Sequence, residues 1–267
     1  MSQPVIYLKL GGSLITDKDR PYTIEESTLK RISSEIQLFL QHHPGTRMII
    51  GHGSGSFGHT SAAKYHTRQG VSTPEEWVGF QKVCFDARSL NQIVLQNLQS
   101  AGVPAISFPP STQVICKNHE IQSWDLSFIQ RSLDKGLIPL IFGDTVLDES
   151  IGGTILSTED LFIHLTRHLP PQQILLAGIE DGVWADYPVR EKLIPQITPQ
   201  NYPALRDQIL GSASTDVTGG MTTKIENMLD VVRSYPDVKC RVFSGKVEGS
   251  IYSALAGKEF GTVISYS

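Results

Sequence analysis

Three cysteines in 267 residues, Cys84, Cys116 and Cys240, are too few and too far apart for a disulfide framework, and they fit neither a zinc-ligand spacing nor a redox pair. Their odd number points to a reducing compartment, so the cytoplasm is the expected location. No apolar run approaches the roughly 20 residues needed to cross a bilayer, and no membrane partner is expected. The opening run Val5-Ile6-Tyr7-Leu8-Lys9-Leu10 reads as a strand rather than as the apolar core of a secretory leader. A large excess of charge of one sign is lacking as well. With 27 acidic and 23 basic residues the formal net charge is -4, which gives no basic field for a nucleic-acid partner. No G-x-x-x-x-G-K-[ST] run exists, which excludes a Walker-type P-loop. There is no low-complexity tract and no internal repeat, and the length suffices for one large domain to bury its own core.

What is present is a rhythm. Short apolar runs ending in glycine or a carboxylate alternate with longer segments of helical period, the pattern of an α/β domain whose mostly parallel sheet is covered by crossover helices. Strands are expected at 4–10, 46–51, 103–108, 137–142 and 172–178, and near 239–243 and 262–265. Apolar residues three and four apart predict helices over 25–41, 75–100, 125–134, 158–168 and 219–234, with Ser157 or Thr158 able to cap the fourth. Two polar interruptions, Cys116–Glu120 and Asp148–Gly153, read as hairpin tips that leave the sheet edge before the chain returns and could wall a pocket. Pro195–Ser214 reads as a surface excursion.

Four motifs carry chemistry. Lys9-Leu10-Gly11-Gly12-Ser13 closes the first strand with paired glycines, which let backbone N–H groups approach phosphate oxygens, and Lys9 and Lys18 add charge nearby. Taken alone, such a pair is equally well a tight turn. Gly53-Ser54-Gly55-Ser56-Phe57-Gly58-His59 matches G-x-G-x-x-G between a strand and a helix, the context in which a helix N-terminus cradles phosphate. A dinucleotide site would also want an acid about 20 residues on, at the end of a strand. Glu75 and Glu76 stand instead at a helix start, so the loop reads as phosphate-binding and not as a Rossmann site. His59 follows the loop, where its ring could donate to a phosphate oxygen. Glycines separate His52, His59 and His66, so the three cannot share one helix face as metal ligands, and no metal set is expected.

The third motif, Asp216-Val217-Thr218-Gly219-Gly220-Met221-Thr222-Thr223-Lys224, opens a long helix with exposed N–H groups at its positive end and a lysine one turn in. The fourth is a pair of carboxylate clusters. Asp160 lies near a helix start, and Glu180-Asp181-Gly182-Val183-Trp184-Ala185-Asp186 follows a strand. Asp160 could complement the helix dipole, or it could sit between Lys9 and Lys224 and hold both ammonium groups for a phosphoryl group in flight.

Taken in order, these motifs resemble the amino acid kinase family over residues 5 to 225, and within it the branch whose acceptor is isopentenyl phosphate. The likeness rests on Lys9 to Lys18, on Gly55-Ser56-Phe57-Gly58-His59, and on Thr154-Ile155-Leu156-Ser157 leading to Asp160. It implies a three-layer sandwich around a mainly parallel sheet, with an acceptor lobe over about 1–170 and an ATP lobe over about 171–267. It also implies a homodimer, and magnesium arriving with ATP. Carried over by position, Lys9, Lys18 and Lys224 would stabilise the transferring phosphoryl group, Asp160 would orient Lys9 and Lys224, and His59 would hold the acceptor's phosphate. Gly11, Gly12, Gly55 and Gly220 would donate backbone hydrogen bonds. Ser54, Gly58 and Gly153 would complete the acceptor side, and Ser13, Asp181, Val183, Asp186 and Gly219 the nucleotide side. Phe80, Val83, Ile151 and Ile155 are candidates for an apolar tail pocket.

The chain departs from the family pattern at Ser54, at Glu180 and at Thr158-Glu159. Two rival readings stay open: a kinase of the same fold acting on a phosphonate of the fosfomycin type, and a non-catalytic anion-binding protein.

Overall fold

Val5–Leu10 form β1, and all six side chains are buried, the mark of a central strand covered on both faces. The structure is a computed structural model that describes residues 4–210 and 220–267, without the side chains of His59, Thr60 and Leu210. After β1 the chain runs through α1 (Gly12–Ile15), α2 (Glu26–His42), β2 (Arg47–His52), α3 (Gly55–Tyr65), α4 (Pro74–Ser100) and β3 (Ala105–Ser107). Then come β4 (Val114–Lys117), β5 (Glu120–Trp124), α5 (Ser127–Asp134), β6 (Ile138–Phe142), β7 (Asp144–Asp148), β8 (Gly152–Leu156) and α6 (Thr158–His168). The last third holds β9 (Pro171–Gly178), β10 (Val183–Trp184), β11 (Leu193–Ile194), β12 (Gln196–Ile197), α7 (Tyr202–Leu210), α8 (Gly220–Ser234), β13 (Lys239–Ser244), α9 (Ser250–Leu255) and β14 (Thr262–Ile264).

Eight strands form the main sheet in the order β12-β14-β13-β9-β1-β2-β6-β3, parallel except for β14 against β13. One face packs on α2, α4 and α9 through Leu29, Ile36, Leu90, Val94 and Ile251. The other packs on α5, α6 and α8 through Ile129, Phe162, Leu165, Met228 and Val232. Helix, sheet and helix therefore make the three expected layers. Local chemistry sets the helix starts. Thr73 and Glu76 form a capping box with Pro74 at the first position of α4, and Ser157 and Asp160 form another at α6.

Two expectations need correction. The polar interruptions are hairpin tips, but they belong to a second sheet of order β5-β4-β7-β8 rather than to the edge of the main one. Asp148 ties the two tips together by accepting N–H bonds from Asn118, His119, Ser150 and Ile151. The stretch from Pro195 is also more than an excursion. Its β12 pairs with β14 at the sheet edge, and α7 lies within it, while residues 211–214 fall outside the described part. A two-residue strand carries too little alternation to announce itself.

Candidate active site

From β1 the chain moves to β2 on one side, whereas β9 and β13 are added on the other. The gap between β1 and β9 is thus the switch point where an open parallel sheet leaves a crevice beyond its carboxyl ends. A cleft of about 250 Å³ occupies that place. It is lined by Lys9, Gly11, Gly12, Ser13, Lys18, Ser54, Gly55, Gly220 and Lys224 of the expected residues.

Paired glycines let two loops meet at the cleft floor. A Cβ on Gly12 would fall 2.6 Å from Gly55 Cα and closer still to its nitrogen, and Gly55 has φ +48. Only backbone without side chains can pack there. Thr16 pairs with Ile24, and Asp17 N–H donates to Thr23 O at 3.0 Å, so residues 17–23 form a short hairpin that carries exposed Lys18 to the cleft. Lys224 stands one turn into α8.

The carboxylate that holds Lys9 is Glu159, not Asp160. Lys9 and Glu159 are 8% and 4% exposed, and the ammonium donates to Glu159 Oε1 in a short ion pair. Burial alone would raise the Glu159 pKa, but the charges of Lys9 and Lys224 outweigh it and hold the carboxyl below its ordinary value. Glu159 is therefore ionised between two cations, the arrangement expected of Asp160. Asp160 itself is spent on the helix start: its Oδ2 accepts Ser157 N–H at 2.8 Å, and it lies 3.9 Å from Arg68 Nη2.

Other expected residues stand apart from the cleft. Gly153 packs under Phe80, and Gly58 against the side chain of Ser54. Val183 is buried and donates its N–H to Thr262 Oγ1. Asp186 accepts N–H bonds from Glu191 and Lys192, which closes its own loop. Asp181 is exposed in the turn after β9. His59 lies on α3 one turn beyond Gly55, with its side chain outside the described residues, as are Asp216, Thr218 and Gly219 entirely. Of the tail-pocket candidates, Ile155 lines the cleft.

Glu180 and Trp184 of the fourth motif reach the cleft, and the structure adds Tyr187 and Arg190, which spacing did not reveal. Glu180, Trp184, Tyr187 and Arg190 line the side of the cleft formed after β9. Arg190 grips Glu180 with Nε at 2.8 Å and Nη2 at 2.9 Å, and Trp184 Nε1 donates to the same carboxylate at 3.1 Å. Chiefly because of Arg190, Glu180 stays below the usual carboxylate range. The Arg190 guanidinium also lies 4.8 Å from the Tyr187 ring centre.

His52, beside the glycine loop, is pushed down to about 4 from an ordinary 6.5 by burial. The unfolded chain therefore takes up a proton that the folded one refuses. Stability is whole above about pH 6.5 and is lost as the pH falls toward 4, by about 2 kcal/mol from this residue at pH 5. Denaturant unfolding at pH 7 and pH 5 should show that loss, and His52→Asn should reduce it. His164, likewise lowered to about 4 mainly by burial, adds its own share.

Comparison with known proteins agrees with this geometry. The profile described as amino acid kinase family matches residues 4–244. The isopentenyl phosphate kinase of Methanocaldococcus jannaschii is 37% identical over 270 residues, 97% of this chain and 98% of that one. The enzyme of the same name from Methanothermobacter thermautotrophicus is 32% identical over 262 residues, 96% of both chains. A solved structure titled as X-ray structures of isopentenyl phosphate kinase superposes with TM-score 0.82 at 31% identity, covering 98% of this chain and all of the other.

Proposed function

Because the chain belongs to the amino acid kinase family, we propose that it transfers the γ-phosphoryl group of ATP to isopentenyl phosphate, forming isopentenyl diphosphate. The observation that carries this reading is a cleft with three lysines, Lys9, Lys18 and Lys224, and two glycine turns, in a chain 37% identical to an isopentenyl phosphate kinase. The acceptor's phosphate oxygen is already anionic, so attack on phosphorus needs no general base. Positioning and charge neutralisation are what remain for the protein to supply.

Residues of the first lobe, Ser54, Gly55 and Ile155, are assigned to the acceptor, with His59 on its phosphate. Trp184, Tyr187, Gly220 and Met221, of the second, are assigned to the nucleotide. Lys9 and Glu159 are assigned to the junction of the two. Lys9, held by Glu159, and Lys224, whose charge acts on the same carboxylate, would face the phosphoryl group as its charge spreads over three oxygens.

Magnesium is assigned to the triphosphate, since this hydrated ion is commonly held by substrate phosphates. Among the described residues no three His, Cys, Asp or Glu side chains converge to hold a metal unaided. When bound, it would neutralise charge on the β- and γ-phosphates. We assign the protein to the cytoplasm, which its free cysteines suit, and to a homodimer, supported by Val78 and Phe85, 61% and 64% exposed and seven residues apart on α4. No described helix is long and apolar enough to cross a membrane.

The test is product analysis. With ATP, magnesium and isopentenyl phosphate, phosphorus NMR should show the paired resonances of a diphosphate ester appearing with those of ADP. ATP hydrolysis alone would overturn the reading.

A further inference from the structure

Behind the glycine loop runs a buried chain of side chains that phosphoryl transfer does not use. His52 ends β2, has no exposed surface, and stacks on Phe142 with ring centres 5.4 Å apart. Its Nδ1 lies 3.0 Å from the Gly53 carbonyl oxygen, and its Nε2 lies 3.1 Å from Asn91 Nδ2. Ser107 Oγ donates to Asn91 Oδ1 at 2.6 Å. A carbonyl oxygen can only accept, so Nδ1 must carry the proton. In a neutral ring Nε2 is then an acceptor for the Asn91 amide, whose oxygen is left for Ser107. The reverse orientation would set two lone pairs against each other at Gly53. The network therefore runs one way: Ser107 to Asn91, to His52, to the Gly53 carbonyl.

This direction has a geometric result at the cleft. The Gly53–Ser54 peptide is trans, so its C=O and N–H point to opposite sides of the chain. Tying the carbonyl to buried His52 turns the Ser54 N–H to the opposite side of the chain, and Gly53, Ser54 and Gly55 all line the cleft at the start of α3. The geometry points to His52 as a positioning residue for the acceptor: it fixes the peptide plane that presents the Ser54 N–H to the acceptor's phosphate, and Asn91 and Ser107 fix its ring. This rests on the phosphate-acceptor reading above.

The test compares His52→Leu, which stays apolar and loses the donor, with His52→Asn, whose amide nitrogen falls near the place of Nδ1. His52→Leu should raise KM for isopentenyl phosphate about tenfold or more while KM for ATP stays within about twofold, and His52→Asn should recover most of the loss. Equal rises in both KM values, or no recovery in a His52→Asn enzyme that melts like the wild type, would overturn the proposal. If His52→Leu does not fold, Ser107→Ala at the half-buried far end decides. A selective rise of about threefold in acceptor KM supports the relay, and an unchanged KM overturns it. A wild-type protein that transfers nothing to isopentenyl phosphate would contradict the functional reading instead. The relay is then judged by the Ser54 amide resonance under added inorganic phosphate. It should move at the same phosphate concentration in the wild type and in His52→Asn but only at about threefold higher phosphate in Ser107→Ala, and equal midpoints in all three would overturn the relay.

Discussion

Glu159→Gln lowers turnover by about two to three orders of magnitude, with ATP affinity changed by no more than about threefold. The substitution keeps the shape of the side chain and removes only its charge. Lys9 is 8% exposed beside it, so its buried ammonium would lose the charge of its Glu159 partner, and Lys224 would lose the attraction of the same carboxylate. Both changes act on the cations proposed to face the transferring group. Breaking a buried pair also costs stability, by about 3 kcal/mol or more, so turnover must be measured below the melting transition of the variant. Asp160→Asn is the contrast. It weakens the capping box at Ser157, costing about 1 kcal/mol of stability, and leaves turnover within about threefold. A larger loss of turnover in Asp160→Asn than in Glu159→Gln would return the central role to Asp160.

Gly12→Ala disables the protein by a different route. The new Cβ would sit against the backbone of Gly55, which cannot yield as a flexible side chain would, so the turn after β1 and the glycine loop must part. About 3 kcal/mol of stability should be lost, together with nearly all transfer activity, because the same two loops are the ones proposed to present N–H groups to phosphate. Gly178→Ala serves as the control. Gly178 also lines the cleft, but a Cβ there meets nothing within 4 Å, so the melting temperature should hold. Equal destabilisation by the two variants would show that contact between the loops is not what demands glycine at Gly12.

Much of this was legible beforehand because the main sheet writes itself in long apolar runs. The expected strand 172–178 is β9, Pro171–Gly178, and the expected helix 158–168 is α6 to the residue. The second sheet was not legible, since four- and five-residue strands such as β4 and β7 look like any hairpin arm until their partners are known. At the cleft, the glycine turns and the three lysines that line it were readable because each lies in or beside a short motif after a strand or at a helix start. The choice of carboxylate failed although a signal existed. Serine followed three residues later by an acid is the pattern of a capping box, which spends Asp160 on the helix start and frees its neighbour Glu159. No such signal marks Glu180 with Arg190, ten residues away, or His52 with Asn91 and Ser107. Those partners are brought together only by the fold.

The most direct test of the function is a competition of acceptors for ATP with magnesium: isopentenyl phosphate, dimethylallyl phosphate, fosfomycin, acetylglutamate and UMP. The proposed reading predicts kcat/KM for the two isoprenoid phosphates at least about a hundredfold above the others, a gap of about 3 kcal/mol in transition-state binding. Preferential phosphorylation of fosfomycin would contradict the acceptor while leaving the lysine site intact, and silence with every acceptor would contradict phosphoryl transfer itself.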